Sequence, residues 1–179
     1  MTDALPLSHS HNLARLGHAG DRVAFAADAA QRAAIARWSG VLSLESFAVA
    51  VDMKKLGPAR FGLDFTVTAD VTQACVVTLE PVRGRMEHTF RRELHFTGAA
   101  ARRRPPESEA EMVLDAGPEE GPEEIESLHY DLAAPALEEY VLALEPYPRC
   151  PGVEFAAPEG AAQAPESPFA VLKALKSGP

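Results

Sequence analysis

The chain has 179 residues, of which 46% are hydrophobic and 24% are charged, a composition typical of one globular domain. No apolar run approaches the roughly 18 residues that span a bilayer, and residues 1–6 lack the features of a signal peptide, so we expect a cytoplasmic protein without membrane contact. The only cysteines, Cys75 and Cys150, are too few for a disulfide framework or a cysteine-rich zinc ribbon. We expect both to be reduced thiols.

The net charge of −9 is distributed unevenly along the chain. Residues 105–126 contain nine acids and no Lys or Arg, whereas the other 157 residues balance 17 acids with 17 bases. Residues 83–104 are rich in arginine, which leaves open a local phosphate-binding patch, although the net negative charge argues against bulk binding of nucleic acid. Pairing of these arginines with the acidic tract downstream is slightly favoured over such a patch, because the acids are so near in the sequence. The arginines are Arg83, Arg85, Arg91, Arg92, Arg102, Arg103 and Arg104.

A helix is predicted to begin after Asp28. Asp28 and Gln31 have the spacing of a capping box, and Gly40 supplies a residue that can turn left-handed at the end of the helix. Trp38 is predicted to anchor this helix in the core. Residues 1–20 are interpreted as an N-terminal segment.

Alternation of apolar and polar residues then predicts an antiparallel sheet of about four strands. Residues 42–53 alternate with one change of phase, which predicts a β-bulge at Glu45 and Ser46, and residues 61–71 alternate without a fault. Such alternation is typical of strands with one face on the core and one in water. A further strand is predicted after residues 75–81.

Two polar residues interrupt the apolar face of this further strand. His88 and Arg92 share the face of Phe90 and Leu94, so they lie near a sheet edge or are paired on the buried side. Residues 125–130 predict one more short strand. A second helix is predicted after Asp131 from its apolar spacing.

The remaining segments complete a single α+β domain over residues 1–179. Residues 98–124 are predicted to be an acidic flexible loop, and residues 151–167 a loop before a C-terminal docking helix. The predicted fold is an antiparallel sheet of about four strands packed against two or three helices, with a long acidic loop.

No nucleotide-binding, serine-hydrolase or metal-binding motif occurs in the sequence, so we expect neither catalytic residues, nor a metal, nor a cofactor. The six histidines fall into no ligand pattern. A thiolate–imidazole pair between Cys75 and His88 or His95, with Glu80 nearby, would make a cysteine-dependent enzyme acting on RNA. This is the less favoured alternative.

Two segments carry a resemblance to a known family. Residues 67–82 read VTADVTQACVVTLEPV and residues 167–176 read SPFAVLKALK. The sequence resembles the YceD family of large ribosomal RNA subunit accumulation proteins, whose members have a strand leading into Cys-x-x-Cys, often Leu-Glu-Pro, and a closing Pro-Phe-x-x-Leu-x-x-Leu-Lys. The positions that correspond are Cys75, Thr78, Leu79, Glu80, Pro81, Pro168, Phe169, Leu172, Leu175 and Lys176.

The resemblance implies a non-enzymatic factor that supports accumulation of 23S ribosomal RNA and biogenesis of the large ribosomal subunit. We expect it to act by binding ribosomal RNA or a basic ribosomal protein. The alternative is a protein–protein adaptor without RNA contact. Thr78 stands where many members have a second cysteine, so a metal or redox role based on Cys-x-x-Cys does not carry over. Packing alone explains a buried Cys75 and a docked C-terminal helix.

Overall fold

A computed structural model of the protein describes residues 5–98 and 121–154. The predicted α+β class is confirmed. The elements in chain order are β1 (Ser10–Asn12), a 3₁₀ turn (Leu13–Arg15), β2 (Asp21–Ala26), α1 (Ala29–Ser39), β3 (Ser43–Lys55), β4 (Arg60–Ala74), β5 (Pro81–Phe96), β6 (Glu123–Ile125), β7 (His129–Asp131) and α2 (Ala133–Leu142).

The main sheet has five strands in the order β2-β3-β4-β5-β6. The first four are antiparallel neighbours, whereas β6 runs parallel to the end of β5. The expected count of about four strands is therefore one too low. Strand β2 is not among the predicted strands, because its six residues are too few for a clear alternation.

A separate two-stranded sheet joins the two ends of the described chain. β1 pairs with β7, and the amide of Leu132 donates to the carbonyl of His9. The single strand predicted over residues 125–130 is therefore two short strands that belong to different sheets. Within the predicted N-terminal segment, Leu7, Leu13 and Leu16 are buried in the core, which the sequence analysis did not anticipate.

The core lies between one face of the main sheet and the two helices. Alternate residues of β3 and β4 are buried, including Phe47 and Phe65, and the ring of Tyr140 on α2 meets the ring of Phe47 edge-on at 5.4 Å. Ile35 brings α1 into the same apolar cluster. Alternation in β4 and the bulge between Leu44 and Ser46 are both as predicted. Neither helix of the described residues is long and apolar enough to cross a membrane.

Helix α1 has the predicted ends but not the predicted buried face. At its start, the side chain of Asp28 accepts a hydrogen bond from the amide of Gln31, and the side chain of Gln31 accepts one from the amide of Asp28. At its end, Gly40 adopts a left-handed conformation with φ 73°. Trp38, however, is 41% exposed, so its prediction as a core anchor is wrong. The helix is only weakly amphipathic, and contact with β3 selects the face of Ile35 instead.

Candidate functional site

The arginines of β5 are divided between the two faces of the sheet. Arg83, Arg85 and Arg91 lie on the outer face, opposite residues of β4 that point away from the helices. Arg92 lies on the inner face, opposite the buried Leu63. The strand therefore does not present all four arginines as one patch. Arg102, Arg103 and Arg104 lie outside the described residues.

The outer-face arginines lie beside acids of the same sheet. Arg91 contacts Glu93 at 3.0 Å and Asp64 at 3.9 Å, whereas Arg85 reaches Asp70 only at 4.0 Å and keeps 76% of its side chain exposed. The pKa of Glu45 is lowered chiefly by the hydrogen bond from Ser43, with a smaller part from the charge of Arg83. These acids lie on the sheet, whereas residues 105–120 of the acidic tract lie outside the described residues.

On the inner face, a polar cluster fastens β5 to α2. Arg92 bonds Glu139 at 2.9 Å and Glu138 at 3.2 Å, and His88 Nε2 lies 3.2 Å from Glu139. Phe90, between these two residues on the strand, stacks on Phe65 at 4.6 Å. The two polar interruptions are therefore paired with helix carboxylates, one of the two arrangements that the sequence allowed.

An open groove runs along α2 on the side that faces the end of α1. Its volume is about 790 Å³. Leu142 is 73% exposed and Trp38 41%, so the groove presents large apolar side chains to solvent. Monomeric proteins rarely leave such side chains clustered and uncovered unless they bind something. We call this feature the α2 groove; its apolar lining is Leu5, Trp38, Ala134, Pro135, Val141 and Leu142.

The rim of the α2 groove is acidic. Glu123, Asp131 and Glu138 line it, and residues 121–148 contain seven acids without any Lys or Arg. Glu123 accepts a hydrogen bond from the hydroxyl of Tyr130 at 3.1 Å. Burial, together with the negative charge of Glu123, raises the pKa of Tyr130, so this hydroxyl stays neutral. An apolar floor with an acidic rim suits a ligand that is both apolar and cationic.

The family-motif residues form the turn between β4 and β5. The amide of Cys75 donates to the carbonyl of Glu80, and the amide of Leu79 donates to the carbonyl of Cys75. Leu79 has a positive φ of 63°, and its side chain is 77% exposed. Pro81 begins β5. The C-terminal motif residues Pro168, Phe169, Leu172, Leu175 and Lys176 lie outside the described residues.

Cys75 is brought against Cys150 and not against a histidine. The amide of Cys150 lies 3.4 Å from the sulfur of Cys75. His88 is held by Glu139, and His95 lies opposite Arg60 at the far end of the hairpin. The thiolate–imidazole pair considered from the sequence is therefore not assembled. Within residues 5–98 and 121–154, no group of three or more His, Cys, Asp or Glu side chains is arranged to hold a metal ion.

The fold and these surfaces define a small α+β protein whose exposed chemistry lies in a groove, a charged strand and a cysteine-bearing turn. The chain belongs to the family described as Large ribosomal RNA subunit accumulation protein YceD, which matches residues 63–176. That range includes both segments on which the resemblance rested. No curated protein and no solved structure matches the chain. Family membership implies involvement in accumulation of the RNA of the large ribosomal subunit.

Proposed function

We propose that this protein is a non-enzymatic factor in large-subunit biogenesis that acts by holding a basic ribosomal protein in the α2 groove. The observation that carries the proposal is the groove itself, where exposed Trp38 and Leu142 lie beside an acidic rim. Ribosomal proteins carry dense positive charge for RNA and need a complementary surface before RNA covers them. The proposed place of action is the cytoplasm.

The charges around the groove support a cationic partner. Among the described residues that line the groove, Arg92 is the one Lys or Arg, and it is already neutralised by Glu138 and Glu139. The carboxylates of Glu123 and Asp131 also lie on the rim, where they accept hydrogen bonds from neutral donors, namely the Tyr130 hydroxyl and the amides of His9 and Ala133. A Lys or Arg of the partner would therefore be attracted to the acidic rim, and an apolar side chain beside it would be buried on the floor of the groove.

Direct binding of ribosomal RNA is the second candidate. It is favoured by Arg85, which is 76% exposed on the outer face and is held by Asp70 only at 4.0 Å. Arg83 lies on the same face, and planar guanidinium groups suit phosphate. In the part of the chain that the structure describes, the outer face has no stacked aromatic rings, since Phe90 and Phe65 lie on the inner face. An RNA contact would therefore depend on phosphates and weaken steeply with salt.

The test uses the fluorescence of Trp38, the one tryptophan in the sequence. Large-subunit ribosomal proteins that lack tryptophan are purified singly and titrated into the full-length protein. Occupation of the groove should shift the Trp38 emission to shorter wavelengths and reduce the quenching of this emission by iodide. Leu142→Gln should weaken binding about tenfold, which corresponds to about 1.4 kcal/mol. Leu42→Gln is the matched control, since Leu42 is 56% exposed and lies outside the groove.

A fragment of 23S ribosomal RNA is titrated in parallel at several salt concentrations. If RNA binds with a steep salt dependence that Arg83→Glu with Arg85→Glu removes, while no ribosomal protein shifts Trp38, the second candidate replaces the first. If Leu142→Gln and Leu42→Gln weaken protein binding equally, the groove is not the binding surface. Binding of a ribosomal protein without any RNA contact would leave the adaptor function in place.

A further inference from the structure

Two turns that are distant in the sequence meet at the end of β4. The first follows β4 and begins with Cys75; the second lies beyond α2 and contains Cys150. The amide of Val76 donates to the carbonyl of Pro148 at 2.9 Å and joins the turns by their backbones. The two turns are therefore held together, with Cys150 beside Cys75.

The sulfur of Cys75 lies in a ready-made site for a negative charge. It accepts hydrogen bonds from the backbone amides of Cys150 at 3.4 Å and of Thr78 at 3.5 Å. Because N and Cα are bonded, the Cα of Cys150 lies within about 5 Å of the Cys75 sulfur. Donated hydrogen bonds of this kind favour a thiolate over a thiol.

The second sulfur is bound to the same small network. The sulfur of Cys150 lies 3.8 Å from the hydroxyl of Thr78 and 3.9 Å from the carboxylate of Glu80. Cys75 is fully buried, whereas Cys150 is partly exposed. One sulfur is thus open to a small reagent, and the other is shielded but adjacent.

The shared network shifts the pKa values of the two thiols in opposite directions. The hydrogen bond from the side chain of Thr78 lowers the pKa of Cys75 to about 6, and the backbone amides of Cys150 and Thr78 contribute to this shift. The bond to Thr78 by itself would lower the pKa of Cys150, but burial and the neighbouring sulfur of Cys75 outweigh it and raise that pKa. At neutral pH the pair therefore holds one thiolate, on Cys75, and one thiol.

We propose that Cys75 and Cys150 are a modification site at which hydrogen peroxide or a related peroxide closes a reversible intramolecular disulfide. The disulfide would tie the turn after β4 covalently to the segment after α2. In a reducing compartment the resting state is the dithiol, and a disulfide formed on demand is a redox response. This proposal is independent of the partner that the groove binds.

The chemistry closes without any further reactant. The Cys75 thiolate takes the proton of the neighbouring Cys150 thiol, and the Cys150 thiolate so formed attacks one peroxide oxygen. The O–O bond breaks, and the departing hydroxide takes that proton from Cys75 to leave water and a sulfenic acid on Cys150. The thiolate of Cys75 then attacks the Cys150 sulfur, the S–O bond breaks, and hydroxide leaves. Two thiols are oxidised by two electrons, and the peroxide is reduced to two molecules of water or hydroxide.

The test is a mass measurement on the reduced full chain treated with increasing hydrogen peroxide. We expect a loss of about 2 Da that dithiothreitol reverses, and a peptide map that contains Cys75 linked to Cys150. With Cys75→Ser, the Cys150 peptide should instead gain oxygen and react with dimedone. With Cys150→Ser, the buried Cys75 should resist iodoacetamide until the chain is unfolded.

Thr78→Val tests the role of the hydroxyl, because this substitution keeps the shape of the residue and removes the hydroxyl. Disulfide closure should be several-fold slower in this variant at pH 7, while the final product is the same. Oxidation of wild-type Cys150 without linkage to Cys75 would overturn the proposal. Disulfide-linked dimers in place of the internal bond, formed equally by Cys75→Ser, would also overturn it.

Discussion

The guanidinium of Arg92 lies 2.9 Å from Oε1 of Glu139, and this ion pair joins β5 to α2 on the inner side of the sheet. Both side chains are mostly buried, with 26% and 20% exposed. A charged residue on an apolar strand face is costly unless it is paired, so the position of α2 and the identity of residue 92 depend on each other.

Arg92→Met should therefore destabilise the fold by about 1–2 kcal/mol, because it leaves Glu138 and Glu139 without their cation while the apolar stem remains. The measurement is the urea midpoint of unfolding. Arg85→Met is the control, since Arg85 is 76% exposed and only 4.0 Å from its partner. We expect the control to change stability by less than about 0.5 kcal/mol. Equal losses for both variants would contradict a special role for the inner pair.

The capping box of α1 gives a second prediction. The carboxylate of Asp28 accepts a hydrogen bond from the backbone amide of Gln31 at 2.8 Å. The side-chain oxygen of Gln31 in turn accepts one from the backbone amide of Asp28 at 2.9 Å. Asp28→Ala should cost about 1 kcal/mol, because an amide of the first turn loses its acceptor. Asp28→Asn keeps an acceptor and should cost less than half as much. Thermal unfolding of the three proteins distinguishes a lost cap from a general effect of mutation at residue 28.

Two left-handed glycines separate backbone strain from steric clash. Gly40 has φ 73° with open space around it, and Gly20 has φ 79° but an added Cβ would lie 2.6 Å from the carbonyl oxygen of Met53. Gly40→Ala should cost about 1 kcal/mol for the left-handed conformation alone. Gly20→Ala should cost about 1–3 kcal/mol more, since β3 must move to make room. Similar urea midpoints for the two variants would rule out the clash.

The thiolate of Cys75 predicts a pH dependence of stability. Its pKa falls from the ordinary value of 9.0 to about 6, owing to the Thr78 hydrogen bond and then the amides of Cys150 and Thr78. A group with a lowered pKa stabilises the folded state above its unfolded pKa, and this contribution is lost as the pH falls to the folded pKa. The stability of wild type relative to Cys75→Ser should therefore rise between pH 6 and pH 9.

The groups that face this thiolate must be included in that comparison. Cys150 has a raised pKa, so its own contribution is present at low pH and is lost only as the pH rises above 9. The carboxylate of Glu80 lies 3.9 Å from the sulfur of Cys150 and is the acidic group that faces this pair. Thiolate absorbance at 240 nm should titrate near pH 6 in wild type and lack that step in Cys75→Ser. A first step near pH 9 in both proteins would contradict the lowered pKa.

Much of the local structure was predictable because its causes are local. The capping box depends on two side chains three residues apart, and β4 depends on a strict alternation of apolar and polar residues. The bulge near Glu45 followed from a single change of phase. The position of Trp38 was not predictable in the same way, because a short helix with a weak apolar face is oriented by the sheet it meets.

The candidate sites were predictable only in part. The oddity of His88 and Arg92 was visible as two polar residues on an apolar face, and this signal indicated a hidden partner. The partner itself, Glu139, lies 47 residues beyond Arg92 in the chain. No sequence pattern links Leu5, Trp38 and Leu142, so the α2 groove had no signal of its own.

The sequence by itself determined the α+β class, the family, the alternating strands and the ends of α1, because these depend on the order of neighbouring residues. Only the tertiary structure decided which carboxylates pair with Arg92, which apolar side chains stay uncovered, and that Cys150 meets Cys75. The ion pair and the cysteine contact join residues 47 and 75 positions apart, and the groove joins residues still farther apart. Their approach is set by the packing of whole elements and not by local preference.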